Sequence, residues 1–218
     1  MVARLLPTGA LDPAFSPGGT EGSGVAVFYV GGADSANAVA IQSDSKIVVA
    51  GKAGNGFMVA RLKPDGTLDP NFSPGGIEGN GIFVRNIGGG DSANAVAIQS
   101  DDMIVVAGAT SLAAGGDFAV LRLKPDGTLD PNFSPGGIEG NGIFVRNIGG
   151  GDSANALAIQ SDGRILVAGA TSLAAGGDFA VARLTTTGTL DPSFSPGALM
   201  EVEFRLSAFR EQTSLTAW

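Results

Sequence analysis

The chain has 218 residues, 35 of them glycine, and its 21 Asp and Glu against 13 Lys and Arg give a formal net charge of −8. It contains no histidine and no cysteine, which excludes disulfides, zinc sites built from imidazole or thiolate, Ser-His-Asp triads and thiol nucleophiles. The negative charge argues against nucleic acid as a partner, because a polyanion would be repelled. Because 44% of the residues are hydrophobic, we expect a sizeable core. No apolar run is long enough to cross a bilayer, so we expect no membrane span.

An internal repeat organises the chain. The motif Leu-Asp-Pro-x-Phe-Ser-Pro-Gly begins at Leu11, Leu68, Leu129 and Leu190, at spacings of 57, 61 and 61 residues. A fixed period of this length indicates a repeat architecture. The motif divides a repeat domain, 1–197, into units 12–68, 69–129 and 130–190, and an atypical tail, 198–218, follows.

Each unit contains four strand-like runs separated by turn residues. The chain opens with two runs, 2–5 and 25–30, that match the third and fourth strands of an incomplete leading unit. In the middle unit the predicted strands are 93–99, 103–107, 118–123 and 142–148. Within the repeats no segment carries a capped helical period, so the sequence predicts an all-β fold.

Four antiparallel strands per unit predict a β-propeller-like array of four-stranded blades. Small side chains over 93–97 suit the crowded innermost strand, and the bulkier run 142–148 suits the outer one. The chain holds about three and a half blades, and a closed propeller needs roughly four to eight. An open stack of β units is the alternative architecture.

The motif 68–73 has oxygen donors at alternate positions, Asp69, Asn71 and Ser73, like the opening of a calcium loop. The match fails further on, because Pro74 stands where such a loop needs a glycine. We therefore predict a turn capped by the aspartate, with the phenylalanine of the motif, Phe133 in the third copy, buried between units.

A better candidate site is Asp-Ser-Ala-Asn, which starts the predicted innermost strand of every unit. If these strands surround an axis, symmetry brings three carboxylates and three amides to one mouth, and such oxygen ligands suit Ca²⁺. The predicted metal ligands are Asp34, Asn37, Asp91, Asn94, Asp152 and Asn155. The alternative is that each Asp and Asn caps its own turn.

The repeats also resemble a known family. The segments 152–169, 179–184 and 188–194 are similar to the bacterial delta-sixty repeat, and the resemblance covers about residues 1–196. It implies a propeller-like domain of uncharacterised function, found in large surface or secreted bacterial proteins. It supplies no catalytic residues, and the stretch 1–7 lacks the features of a secretory signal, so a secreted or cell-surface parent protein is an expectation from the resemblance alone.

Two functional classes follow. The first is a bacterial repeat module for binding or surface interaction that takes up calcium at the channel mouth. The second is a calcium-dependent hydrolase of small esters or lactones, in which Asp91 and Asp152 hold the metal and a metal-bound water attacks; this rests on analogy of fold with propeller lactonases. Near-symmetry of the units favours binding, because active sites usually break symmetry, and we identify no catalytic residue.

The unpaired ends of the array predict a homo-oligomer, most simply a dimer, because exposed strand edges invite pairing. Two chains joined head to tail would reach the blade number of a closed ring. The alternative is a monomer in which the tail covers the open edge with Phe204, Phe209 and Trp218.

Overall fold

A computed structural model describes residues 1–19, 22–75, 81–112, 116–137, 140–172 and 177–194. These residues form strands and turns and contain no helix; accordingly, no helix in this part of the chain is long and apolar enough to cross a membrane. The strands are β1 (Val2–Ala3), β2 (Val25–Ala26), β3 (Ser35–Ile41), β4 (Ile47–Ala53), β5 (Gly56–Leu62), β6 (Ile82–Arg85), β7 (Ser92–Ile98), β8 (Ile104–Thr110), β9 (Asp117–Leu123), β10 (Ile143–Arg146), β11 (Ser153–Ile159), β12 (Ile165–Thr171) and β13 (Asp178–Leu184).

The strands form antiparallel meanders. Strands β3 to β6 make the first four-stranded blade and β7 to β10 the second, each in simple chain order. The third blade contains β11, β12 and β13, and a two-stranded ribbon of β1 and β2 precedes the first. The predicted all-β, propeller-like architecture of four-stranded antiparallel blades is confirmed, and the predicted strands of the middle unit differ from those observed by a few residues at their ends.

Blades pack face to face through apolar side chains. Val48 and Phe57 of the first blade are buried in one cluster with Ile104 and Val106 of the second. Strands β5 and β9 are buried along their whole length. The first and third blades cover β9, and the leading segment and the second blade cover β5. The first strands, β3, β7 and β11, contact one another in sequence and form the inner edge of the array.

Each inner strand contains a β-bulge. The register between β7 and β8 shifts between Ala93 and Ala95, and β3 and β11 show the same irregularity. Opposite the bulge lies Gly108, where a Cβ atom would lie 1.9 Å from the carbonyl oxygen of Ser92. Only glycine allows the two backbones to approach this closely, so the bulge and the glycine are one structural unit.

The phenylalanine of each Leu-Asp-Pro motif connects successive blades. Phe15, Phe72 and Phe133 are completely buried. Phe133 follows β9 of the second blade and lies against Gly188, in the turn after β13 of the third blade, where a Cβ would approach the ring to 2.5 Å. The predicted burial of Phe133 between units is confirmed.

The predicted outer strand of the last unit, 200–206, and the tail residues Phe204, Phe209 and Trp218 lie outside the described residues. The three sheets run from Ser35 to Arg85, from Ser92 to Arg146 and from Ser153 to Leu184. Each Leu-Asp-Pro motif therefore follows the third strand of a blade.

Replacing Phe133 by alanine should lower the free energy of unfolding by about 3–5 kcal/mol, because it empties a fully buried aromatic site between two blades. Chemical denaturation measures the loss. Tyr29→Ala is the matched control, since Tyr29 is 83% exposed, and we expect it to cost no more than about 0.5 kcal/mol. An equally small cost for Phe133→Ala would contradict the assigned role.

Candidate functional site

The aspartate of each Asp-Ser-Ala-Asn segment closes the loop that leads into its inner strand. Oδ2 of the buried Asp91 accepts hydrogen bonds from the backbone N–H groups of Ile87, at 2.6 Å, and Gly88, at 3.2 Å. The hydroxyl of Thr110 donates to Oδ1 at 2.6 Å. Both carboxylate oxygens of Asp91 therefore have partners in the fold.

Asp34 and Asp152 make the same loop contacts through Oδ2 only. Each accepts from the N–H groups three and four residues earlier in the chain. Their Oδ1 atoms are buried and have no hydrogen-bond partner among the described residues. The cause is local: Ala53 stands at the end of β4 where Thr110 ends β8, and the hydroxyl of Thr171 donates instead to the carbonyl of Gly149.

The asparagines lie at the bulges, and Asn37 and Asn94 reach the next blade. Nδ2 of Asn37 donates to the carbonyl of Ala93 at 2.8 Å and to Oγ of Ser92 at 3.1 Å. Asn94 repeats both contacts with the third blade, to Ala154 at 2.9 Å and to Ser153 at 3.2 Å.

Serine hydroxyls join these contacts into a line. Ser92 donates to Oδ1 of Asn94 at 3.2 Å, and Ser153 donates to Oδ1 of Asn155 at 2.9 Å. We call the resulting series of hydrogen bonds the asparagine ladder; its members are Asn37, Ser92, Asn94, Ser153 and Asn155. It runs across the three inner strands and links each blade to the next.

The structure thus brings the predicted ligands to the same strand ends but directs them to different partners. The aspartates bind the preceding loop, and Asn37 and Asn94 bind the following blade. Within the described ranges there is no group of three or more Asp, Glu, His or Cys side chains that could hold a metal ion. Calcium binding at the six residues stays a prediction, and the aspartate contacts agree with the alternative of turn stabilisation.

A second repeated cluster follows the third strand of each blade and was not recognised in the sequence. Nε of Arg61 donates to Oδ2 of Asp69 at 2.9 Å, and both side chains are buried. The guanidinium lies 4.7 Å from the ring centroid of Phe72, and its Nη1 donates to the carbonyl of Pro125 in the next unit. We call this arrangement the Arg-Asp-Phe lock.

The Arg, Asp and Phe of the lock recur four times, and the hydrogen bond to the next blade is made by Arg4, Arg61 and Arg122. The members of the lock are Arg4, Asp12 and Phe15; Arg61, Asp69 and Phe72; Arg122, Asp130 and Phe133; and Arg183, Asp191 and Phe194. In each copy the arginine precedes the aspartate by eight residues. That constant spacing is the sequence signal that would have revealed it.

Hydroxyl donors add to the electrostatics of these turns. The hydroxyl and backbone N–H of Ser193, together with Arg183, lower the pKa of Asp191 to about 2. At the turns after β5 and β9, the hydroxyls of Thr67 and Thr128 lower the pKa of Asp65 and Asp126. These carboxylates are stabilised in their charged form.

Replacing Asp91 by alanine should lower the free energy of unfolding by about 1–3 kcal/mol, because buried N–H groups lose their acceptor. The loss should be the same in EDTA and in millimolar CaCl₂. Asp101→Ala is the control, since Asp101 is an exposed turn residue whose carboxylate accepts one backbone hydrogen bond, and it should cost about 0.5 kcal/mol or less. A loss seen only in calcium would show that Asp91 acts as a metal ligand.

The depressed pKa of Asp191 predicts a pH effect. Because the folded-state pKa, about 2, lies below the ordinary value of 3.8, the charged carboxylate stabilises the fold above that ordinary value, and this contribution disappears as the pH falls towards 2. Ser193→Ala should raise the pKa of Asp191, which carboxyl-carbon NMR titration measures directly. An unchanged pKa would exclude the serine as the principal cause.

Comparison with known proteins agrees with the geometry. Residues 42–72, 99–133 and 160–194 match the family described as "Domain of unknown function (DUF5122) beta-propeller". Each match begins near the turn between the first two strands of a blade and ends at or beside the phenylalanine of the lock. No curated protein matches the chain. The match supports an uncharacterised propeller-like repeat family, as the resemblance implied, but not the delta-sixty name. The chain is a propeller-like repeat protein, three of whose units are similar to this family of unknown function.

Proposed function

We propose that the chain is a binding module of a bacterial surface or secreted protein and has no catalytic centre of its own. The observation that carries this proposal is that the repeated polar residues make hydrogen bonds within the fold. Asp91, Asn94 and the Arg122–Asp130 pair are all engaged in hydrogen bonds that hold loops or blades together. These repeated polar residues therefore stabilise the fold. The repetition of whole units presents the same exposed surface on successive blades.

The near-identity of the units supports a multivalent form of binding. Segments 63–101 and 124–162 differ at a single position, Val96 against Leu157. Equivalent surface residues of the two units therefore recur on successive blades. A ligand with a repeating structure can contact several such surfaces at once, and linked contacts raise the overall affinity without any new kind of contact.

The hydrolase alternative requires a metal-bound water held by Asp91 and Asp152. Both oxygens of Asp91 already accept short hydrogen bonds, one from Ile87 in the loop and one from Thr110 at the end of β8. These donors compete with a metal ion for the lone pairs of Asp91, and no group of three or more acidic side chains lies together in the described part of the chain, which favours the binding proposal over hydrolysis.

Calcium binding is a separate hypothesis with one supporting observation. Oδ1 of Asp34 and of Asp152 is buried and has no hydrogen-bond partner in the described part of the chain, so each carboxylate has an oxygen that a cation can bind. Since Ca²⁺ takes 6–8 oxygen ligands, carbonyls and water would have to supply the others. Calorimetric titration with CaCl₂ tests this: binding heat that Asp34→Asn and Asp152→Asn remove supports it, and no heat contradicts it.

The binding proposal is tested by two measurements on the full chain. Hydrolysis of a nitrophenyl ester and of an aromatic lactone should not exceed the buffer rate, with or without calcium. The labelled chain should bind members of an array of bacterial polysaccharides and peptides, and bound ligand should be recovered unchanged. Calcium-dependent turnover that Asp91→Asn abolishes would overturn the proposal in favour of the hydrolase.

A further inference from the structure

The last blade exposes a face that is buried in the other blades. Phe179 and Val181 of β13 are 86% and 46% exposed. Their equivalents in the second blade, Phe118 and Val120, are each only 1% exposed because the third blade covers them. The trailing face of the array therefore ends in an uncovered apolar surface of the kind that elsewhere packs on an inner strand.

The first blade exposes the complementary half of the same contact. Val39 and Ile41 of β3 are 62% and 70% exposed. Their equivalents Val96 and Ile98 pack against the apolar cluster between the first and second blades. The leading face therefore carries the side chains that would cover a trailing face.

The asparagine ladder ends at the same two faces. Asn155 is exposed and its Oδ1 accepts from Ser153, but among the described residues its Nδ2 has no partner like those of Asn37 and Asn94. At the other end, Ser35 and Ala36 occupy the positions of Ser92 and Ala93, the acceptors of Asn37. The trailing face therefore ends in a donor, Nδ2 of Asn155, that lacks an acceptor among the described residues. The matching acceptors, Ser35 and Ala36, are exposed on the leading face.

We propose that a second copy of this chain docks head to tail and continues the array. The leading strand β3 of one copy packs on β11 and β12 of the other. Asn155 donates to Ser35 and Ala36 of the partner copy, as Asn94 donates to the third blade within one chain. Two such contacts close a ring in which each chain supplies three blades, and the total of six lies within the range of about four to eight found in closed propellers.

The two ends of the chain overlap in the repeat, which defines how the copies join. The residues Val2-Ala3-Arg4-Leu5 recur as 181–184, so β1 and β13 occupy the same third-strand position. Only one of them fits at each junction. Strand β1 pairs with β2 at two positions, whereas β13 pairs with β12 at seven. The β1 segment is therefore displaced together with its lock of Arg4, Asp12 and Phe15, and the equivalent lock of Arg183, Asp191 and Phe194 takes its place. Strand β2 of the partner then becomes the fourth strand beside β13.

The sequence favours a second copy over the chain's own tail as the occupant. The fourth strand of the second blade follows the run Glu-Gly-Asn-Gly, and β2 follows the similar run Glu-Gly-Ser-Gly at 21–24. The tail 198–218 contains no such run. The segment that carries the fourth-strand pattern is thus at the leading end of another copy.

Light scattering on the full chain tests the assembly. We expect the mass of two chains, and Phe179→Asp and Val39→Asp should each reduce it to that of one chain, because each places a charge in one half of the contact. Leu112→Asp, in the loop after β8, is the control and should leave the mass at two chains. Circular dichroism confirms that the variants fold. A wild-type mass of one chain, or an open series of larger assemblies, would overturn the proposal.

Engineered cysteines test the strand exchange, since the natural chain has none. Val145 and Ala119 are directly paired in the second blade, and the equivalent pair at the junction is Val27 and Ala180. Under oxidising conditions Val27→Cys/Ala180→Cys should give a product of two chains on a denaturing gel. Val145→Cys/Ala119→Cys is the positive control and should cross-link within one chain. A bond within one chain, or none, for the first variant would overturn the proposal.

Discussion

The contact between a buried phenylalanine and a turn glycine of the next blade is the interaction on which the array depends. A propeller-like array has little to fix the angle between blades except side-chain packing, which is non-directional. The Arg-Asp-Phe lock adds direction. Arg61 is held by Asp69, stacks on Phe72 and reaches the carbonyl of Pro125 in the following blade. One arginine therefore orients its own turn and the neighbouring unit together.

At the inner edge of the array, hydrogen bonds from the bulge asparagines specify how the blades meet. Strands near an axis are crowded, and small residues alone would leave little to specify how blades meet. The bulge at Asn94 interrupts the regular ladder of β7 and β8, and this local loss of regularity lets the amide reach the third blade. Gly108 makes the bulge possible by removing a Cβ that would collide with Ser92. The asparagine and the glycine are thus required together, although they lie on different strands.

The sequence predicted the parts of the fold that depend on local patterns. The strands of the second blade were identified by the alternation of apolar and polar side chains around 93–123 and by the turn residues between the runs. The spacing of the Leu-Asp-Pro motif identified the repeating unit. The burial of Phe133 followed because it is the only large aromatic side chain in its turn. These features depend on near neighbours in the chain, which a single sequence displays directly.

The contacts between units were harder to predict. The partner of Asn37 is the carbonyl of Ala93, 56 residues away, and nothing in the Asp-Ser-Ala-Asn run indicates that its two polar ends diverge. The role of Arg61 was missed because a single arginine at the end of a strand resembles any surface cation. Its role is indicated by the eight-residue separation between arginine and aspartate, which is the same in all four copies of the lock. Sequence reasoning identified where the polar residues gather, but which atoms they bind depends on the arrangement of the blades.

The near-identity of segments 63–101 and 124–162 has a consequence for how the chain reaches its structure. Each contains the turn glycine, the lock aspartate and the inner strand of a blade. During folding, either copy can make the contacts of the other, since the residues of the two segments are nearly identical. Such degeneracy produces misassembled species that must reopen before the correct order is reached. Correct and shifted assembly are distinguished only by the differences that remain between the blades, such as Leu121 against Ala182 in the third strands and the shorter β4–β5 hairpin of the first blade.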